Sequence, residues 1–273
     1  MDRRETPANG RVAHVSLRGQ VTAERYVEGE PARIAVPLTD LLAAPGGARD
    51  RQLTLGARVL VLDRQAGHAF VRCDRDGYVG HVAEAALGPD RPTTHWVAAP
   101  ATHLYPAPNL KQREIAMLSH GAELRVIADA GRFLETDAGF VPAPHLRALD
   151  DRPGDPVAVA ELFVGTPYLW GGNSRSGIDC SGLVQAAHLA CGIPCPGDTD
   201  LQQARLGHAL PDSAALQRGD VIFWKGHVAL MVDAETILHA NAHRMMVNTE
   251  GYEAAVARIL AAGEGPVTLR KRL

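Results

Sequence analysis

Gly171-Gly172-Asn173-Ser174-Arg175-Ser176-Gly177-Ile178-Asp179-Cys180-Ser181-Gly182 passes from glycines and small polar residues into the apolar Leu183-Val184-Gln185-Ala186-Ala187. This change predicts a loop that ends at Asp179. A helix follows, with Cys180 in its first turn and Leu183, Val184 and Ala187 on the buried face. The first N–H groups of a helix lack intrahelical acceptors, and the macrodipole favours an anion there. A thiol so placed, with a histidine beside it, can have its pKa lowered from about 8.5 to roughly 3.5–7.5, and the thiolate is the reactive form. Taken alone, Cys180 reads equally well as a small buried residue that opens a core helix.

Two histidines bear on that choice. Arg218-Gly219-Asp220 reads as a turn before the apolar strand Val221-Ile222-Phe223-Trp224. After Lys225-Gly226, His227 opens a second strand through Val232, and Thr236-Ile237-Leu238-His239-Ala240 makes a third. Adjacent strands of a meander can set His227 beside His239 on one face. A thiol on a helix packed against that sheet then has a base in His227 and an orienting group in His239, the logic of a papain-like triad. Each histidine by itself reads as a half-buried strand residue; the joint pattern points to chemistry.

Five blocks carry a resemblance. They are Thr166-Pro167-Tyr168-Leu169-Trp170-Gly171-Gly172, Gly177-Ile178-Asp179-Cys180-Ser181-Gly182, Arg218-Gly219-Asp220-Val221-Ile222-Phe223, Gly226-His227-Val228-Ala229 and Leu238-His239-Ala240. In this order, over roughly the last 120 residues, the chain resembles the NlpC family of cysteine peptidases. The resemblance implies an α+β, papain-like catalytic domain that hydrolyses bacterial cell-wall peptides, usually at the bond after γ-D-glutamate. It carries the nucleophile onto Cys180, the base onto His227, the third polar residue onto His239 and an oxyanion-stabilising phenol onto Tyr168. The family usually has Pro-Arg where this chain has Pro196-Gly197, so that arginine's place is unfilled.

With 273 residues, the chain suits two or three domains. Charged residues are 22% and the net charge is −3, which gives no polybasic footprint for nucleic acid or anionic lipid. No apolar run approaches the ~20 residues of a membrane span. Met1 to Gly10 shows no apolar signal core, and Cys73, Cys180, Cys191 and Cys195 form no dense framework. A cytoplasmic location is the expectation from these features. Cys191 and Cys195 are spaced C-x₃-C with no second pair nearby, and His239 and His243 lie on strand and loop, so neither metal nor other cofactor is assigned. His188 and His208 read as surface residues.

Residues 1–27 are expected to form an extension packed on the strands after it. Residues 28–90 hold short apolar runs separated by turns, among them Val59-Leu60-Val61-Leu62 and Gly77-Tyr78-Val79, which predicts a small all-β barrel. Residues 91–150 repeat the plan: Leu118-Ser119-His120-Gly121 echoes Leu53-Thr54-Leu55-Gly56, and Gly139-Phe140-Val141 echoes Gly77-Tyr78-Val79. Both copies resemble bacterial SH3-like domains. Residues 151–273 form the peptidase domain after a Pro/Gly/Asp linker, with Asp155 as N-cap and Pro156 opening a helix over about 157–163.

Dipeptide-releasing members of the family bind a free N-terminal L-Ala amine. The resemblance places this role on Asp179 and Ser181, and on Asp50 and Tyr78 from the first barrel. Asp179 also reads as a plain N-cap, and Tyr78 as a core aromatic. The expected partners are murein-derived peptides, and the expected reaction is release of L-Ala-D-Glu from trimmed peptides during muropeptide recycling. An exported autolysin and an inert wall-binding module are the alternatives.

Overall fold

Runs that alternate apolar and polar residues put one side of each strand into a core. This pattern builds the first half of the chain. The computed structural model describes residues 1–273, which divide into two compact units, Met1–Asp151 and Arg152–Leu273.

In the first unit β1 (Val12–His14) pairs in parallel with β2 (Arg25–Val27). Val12 packs with Leu62, Phe70 and Val79, and Arg11 and Arg25 both hold Asp63, so the extension packs on the sheet behind it. That sheet contains β3 (Glu30–Ile34), β4 (Leu38–Leu42), β5 (Arg49–Thr54), β6 (Arg58–Gln65), β7 (His68–Cys73), β8 (Val79–Ala83) and β9 (Leu87–Pro89). Its order is β5-β4-β8-β7-β6-β3-β9. A bulge between Val61 and Asp63 lets consecutive residues Val61 and Leu62 both be buried. The sheet is open rather than the closed barrel expected, because β5 and β9 end it without pairing to each other. β9 stops at Pro89, which has no N–H to extend a ladder.

Residues 95–148 form three small sheets, again without closure. β10 (His95–Val97) lies between β13 (Glu123–Leu124) and β17 (Leu146–Ala148), β11 (Ala101–Leu104) pairs with β12 (Ala116–Ser119), and β14 (Val126–Ala130), β15 (Phe133–Thr136) and β16 (Gly139–Pro142) form a meander. Apart from the extra strand β13, the element order repeats that of residues 30–89. A hairpin is followed by a positive-φ glycine (Gly56, then Gly121), a three-strand meander, a 3₁₀ turn (Glu84–Ala86, then Ala143–His145) and a short strand.

The second unit opens with α1 (Pro156–Glu161), capped by Asp155 Oδ1 on the Val157 N–H at 2.9 Å. It ends two residues before the sequence suggests, and Phe163 lies in the turn beyond it. The two-residue strands β18 (Asn173–Ser174) and β19 (Gly177–Ile178) form a small hairpin before α2 (Cys180–Ala190), which ends at Cys191 with Gly192 at φ +75°. Then come α3 (Thr199–Arg205), β20 (His208–Ala209), β21 (Val221–Trp224), β22 (His227–Met231), β23 (Thr236–Asn241), β24 (Met246–Gly251), α4 (Tyr252–Ala261) and β25 (Leu269–Arg272). The six strands form an antiparallel sheet in the order β20-β25-β21-β22-β23-β24. Tyr252, Ala255 and Ile259 of α4 cover Ile222, Trp224, Ala229, Met231 and Ile237. α2 packs on α1, β22 and β23.

Candidate active site

Asp179 begins the site. Its Oδ1 accepts the Gly182 N–H at 2.6 Å and the Ser181 hydroxyl at 3.1 Å, and its Oδ2 accepts the Gly171 N–H at 2.8 Å. One carboxylate therefore caps α2 and ties the glycine loop to it. Gly172 and Gly182 are required by close approach: a Cβ on Gly182 would lie 2.5 Å from the Gly172 carbonyl oxygen, and one on Gly172 would lie 2.5 Å from that of Gly177. This packing holds Cys180 at the start of α2, where its amide belongs to those that no intrahelical carbonyl can take.

Across from it, Lys225-Gly226 closes a two-residue hairpin, with Gly226 at φ +77° and Trp224 opposite His227. β22 and β23 pair at Leu230↔Leu238 and Met231↔Ile237 but separate toward His227. The Val228 N–H there bonds the Cys180 sulfur, which sets the thiol beside the start of β22. His227 Nε2 lies 2.9 Å from His239 Nδ1, so Nδ1 is the His227 nitrogen left for a proton from elsewhere. Tyr168 sits on a strap laid along β24: its N–H bonds the Met245 carbonyl at 2.9 Å, and Gly165 bonds Val247. Tyr168, Cys180 and His227 line one cleft of about 500 Å³, joined by Lys225, Asn241, His243, Arg258 and Glu264.

Burial decides the charge state. It raises the Cys180 thiol, with help from the Asp179 carboxylate and against hydrogen bonds from Val228, Thr199 and Ser181, up to about 12. Burial, His239 and Arg258 lower His227 to about 3. His239 falls to about 4, again chiefly through burial. Burial thus favours the neutral form of both the thiol and the imidazole. Desolvation therefore opposes the thiolate that the helix terminus favours. Burial, with the anionic forms of Cys180 and Asp179, raises Tyr168 above an ordinary phenol, so it stays a hydrogen-bond donor at every working pH.

The sequence missed several neighbours. Thr199 Oγ1 is 3.9 Å from the Cys180 sulfur. Gln202 Nε2 donates to the Ser181 carbonyl at 2.8 Å and to that of Pro196 at 2.9 Å, bracing the loop where the family's arginine is replaced by Gly197. Glu250 and Arg258 stand behind His239. A run of strand residues ending in a helix carried no signal for this last pair. His188, expected at the surface, is buried on the inner side of α2 with Nδ1 2.7 Å from the Val184 carbonyl. His208 is exposed.

Within the first unit, Asp50 is held by Arg3 through two contacts of 2.7 and 3.0 Å. Tyr78 is 1% exposed, its ring centroid 5.9 Å from the Arg51 guanidinium carbon.

A thiol at a helix start, two linked imidazoles and a phenol on an α+β scaffold define a cysteine peptidase of papain-like fold. The chain belongs to the NlpC/P60 family, which its residues 165–259 match; residues 41–87 match the bacterial dipeptidyl-peptidase Sh3 domain. It is 29% identical over 218 residues to the gamma-D-glutamyl-L-lysine dipeptidyl-peptidase of Bacillus subtilis, covering 69% of this chain and 71% of that protein. It is 33% identical over 132 residues to a probable endopeptidase of Haemophilus influenzae, covering 42% and 80%. The crystal structure of an NlpC/P60 family protein from Bacillus cereus superposes with a TM-score of 0.72 at 21% identity, over 89% of this chain and 99% of that one, a likeness of fold.

Proposed function

We propose that this peptidase cleaves the γ-D-glutamyl–diamino acid bond of peptidoglycan-derived peptides whose N-terminal L-Ala is free, releasing L-Ala-D-Glu. The observation that carries the chemistry is the 2.9 Å His227–His239 contact at the mouth of the cleft that Cys180 lines. In the proposed cycle His227 Nδ1 takes the Cys180 proton as sulfur attacks the carbonyl carbon. The Tyr168 hydroxyl and the Cys180 amide bind the oxyanion. His227 then gives the proton to the leaving amine. It next takes one from water, which attacks the thioester and frees the acid and the thiol.

The relative's name supports the γ-D-glutamyl bond. Asp179 and Ser181 supply the proposed amine subsite, since Asp179 Oδ2 accepts a single N–H and keeps capacity for a cation. Residues 91–150 are proposed as a divergent second SH3-like copy, on the strength of the repeated element order. Four free thiols support a cytoplasmic, recycling role.

The test compares a free L-Ala-γ-D-Glu-diamino acid tripeptide with its N-acetylated form. Cleavage of the free peptide at least 100-fold faster is expected. Equal rates would leave a wall hydrolase with no amine requirement. Cys180→Ala should drop turnover below one-thousandth, and a variant as active as the parent excludes this nucleophile.

A further inference from the structure

His239 is fully buried, and its Nδ1 is occupied by His227. Its second nitrogen, Nε2, has no well-aligned hydrogen-bond partner, and Glu250 Oε2 lies 3.3 Å away. The sheet register explains the approach. Glu250 stands opposite Ile237 on β24, so it shares the face of Ile237 and His239 and lies diagonal to the ring. Arg258, one of the residues of α4, grips both Glu250 oxygens at 2.9 and 2.7 Å. That grip is the main cause holding the carboxyl below the ordinary glutamate range, so Glu250 is an anion at neutral pH.

We propose that Glu250 is a positioning residue: it accepts the His239 Nε2–H and so fixes the tautomer of both histidines. With the proton on His239 Nε2, the Nδ1 lone pair accepts the His227 Nε2–H. His227 Nδ1 is then the unprotonated nitrogen that takes the thiol proton. When His227 becomes imidazolium, the Glu250 carboxylate lies behind it, one imidazole away. Without that acceptor His239 can carry its proton on Nδ1 and donate it to His227 Nε2, which puts the His227 proton on Nδ1 and removes the lone pair that takes the thiol proton. The charges around the pair are Glu250 and Arg258 behind His239, His243 beside it, Glu264 near Arg258, and Asp179 beside the thiol.

This inference rests on the proposed role of His227 as base, and the experiment separates the two. Ring-nitrogen NMR shifts of ¹⁵N-histidine protein report the tautomers directly, and kcat and KM on the free tripeptide are measured alongside. The parent should show His239 with its proton on Nε2. Glu250→Ala should lose that single tautomer and lower kcat roughly 10- to 100-fold, with KM within about threefold, the scale of loss seen when the hydrogen-bond partner of a metal-bound histidine is removed. Glu250→Asp should recover part of both. Arg258→Met keeps the carboxylate and should keep the His239 tautomer, whereas a purely structural Glu250–Arg258 clamp predicts the same spectrum for Arg258→Met as for Glu250→Ala. The proposal is overturned if Glu250→Ala keeps the tautomer, if its kcat stays within twofold of the parent, or if Arg258→Met reproduces its spectrum. A His227→Ala protein with parental turnover overturns the base assignment instead, whatever Glu250 does.

Discussion

At the scale of single residues, burial and charge act on Cys180 in opposite senses to its helix position. Only the thiolate is alkylated, and the thiol pKa is pushed up to about 12. The rate of iodoacetamide labelling of Cys180 in the unliganded protein should therefore climb about tenfold per pH unit from pH 7 to 10. A plateau by pH 6 would show a resting ion pair. Asp179→Asn removes an anion that raises the thiol, so labelling should quicken at every pH in this range. Asparagine caps a helix as well as aspartate but cannot also accept the Gly171 N–H, so α2 should persist with a looser glycine loop, while KM for the free-amine tripeptide rises about tenfold. Cys180, His227 and His239 could be read as candidates because their spacing is local to strands and a helix start, and Tyr168 through the family resemblance alone. The charge state could not, because it follows from how much water the folded chain leaves around the sulfur.

Among elements, the join between the glycine loop and α2 is the sensitive one. Gly182→Ala must push the first turn of α2 off the Gly172 carbonyl and off Asp179 Oδ1, which a Cβ would approach to 2.9 Å. The expected cost is about 1–3 kcal/mol, as for other overpacked sites, read from denaturant unfolding, with kcat falling more than KM changes. Unchanged stability and turnover would show that the loop yields freely. The helix itself was legible in the step from Gly, Ser and Asp to Leu183-Val184, and the hairpin at Lys225-Gly226 in its turn chemistry. The separation of β22 from β23 was not legible. Residues of both strands read as continuous ladder, whereas the pairing stops at Leu230↔Leu238, and the Cys180 sulfur lies at the Val228 amide beyond it.

For the whole molecule, each unit buries its own core: Leu53, Val59, Val71 and Leu118 in the first, Leu183, Phe223, Leu230 and Leu238 in the second. Calorimetry should resolve two unfolding transitions. Leu183→Ala, at a fully buried site, should cost about 2–5 kcal/mol and lower one transition only; a single transition that shifts as a whole would mean the units unfold together. The recurrence of Leu53-Thr54-Leu55-Gly56 as Leu118-Ser119-His120-Gly121 was visible in the sequence, but the open sheets were not. Whether a terminal strand finds a partner depends on residues far away in the chain.

The sequence by itself determined the order of strands and helices, the capped helix that opens at Cys180, and which side chains have the chemistry to act, because these depend on neighbours a few positions apart. Only the tertiary structure decided that desolvation opposes ionisation of the thiol, that Gln202 braces the loop around Gly197, and that Glu250 and Arg258 stand behind His239. Those outcomes depend on desolvation and on side chains brought together across a sheet, and neither leaves a trace in local spacing.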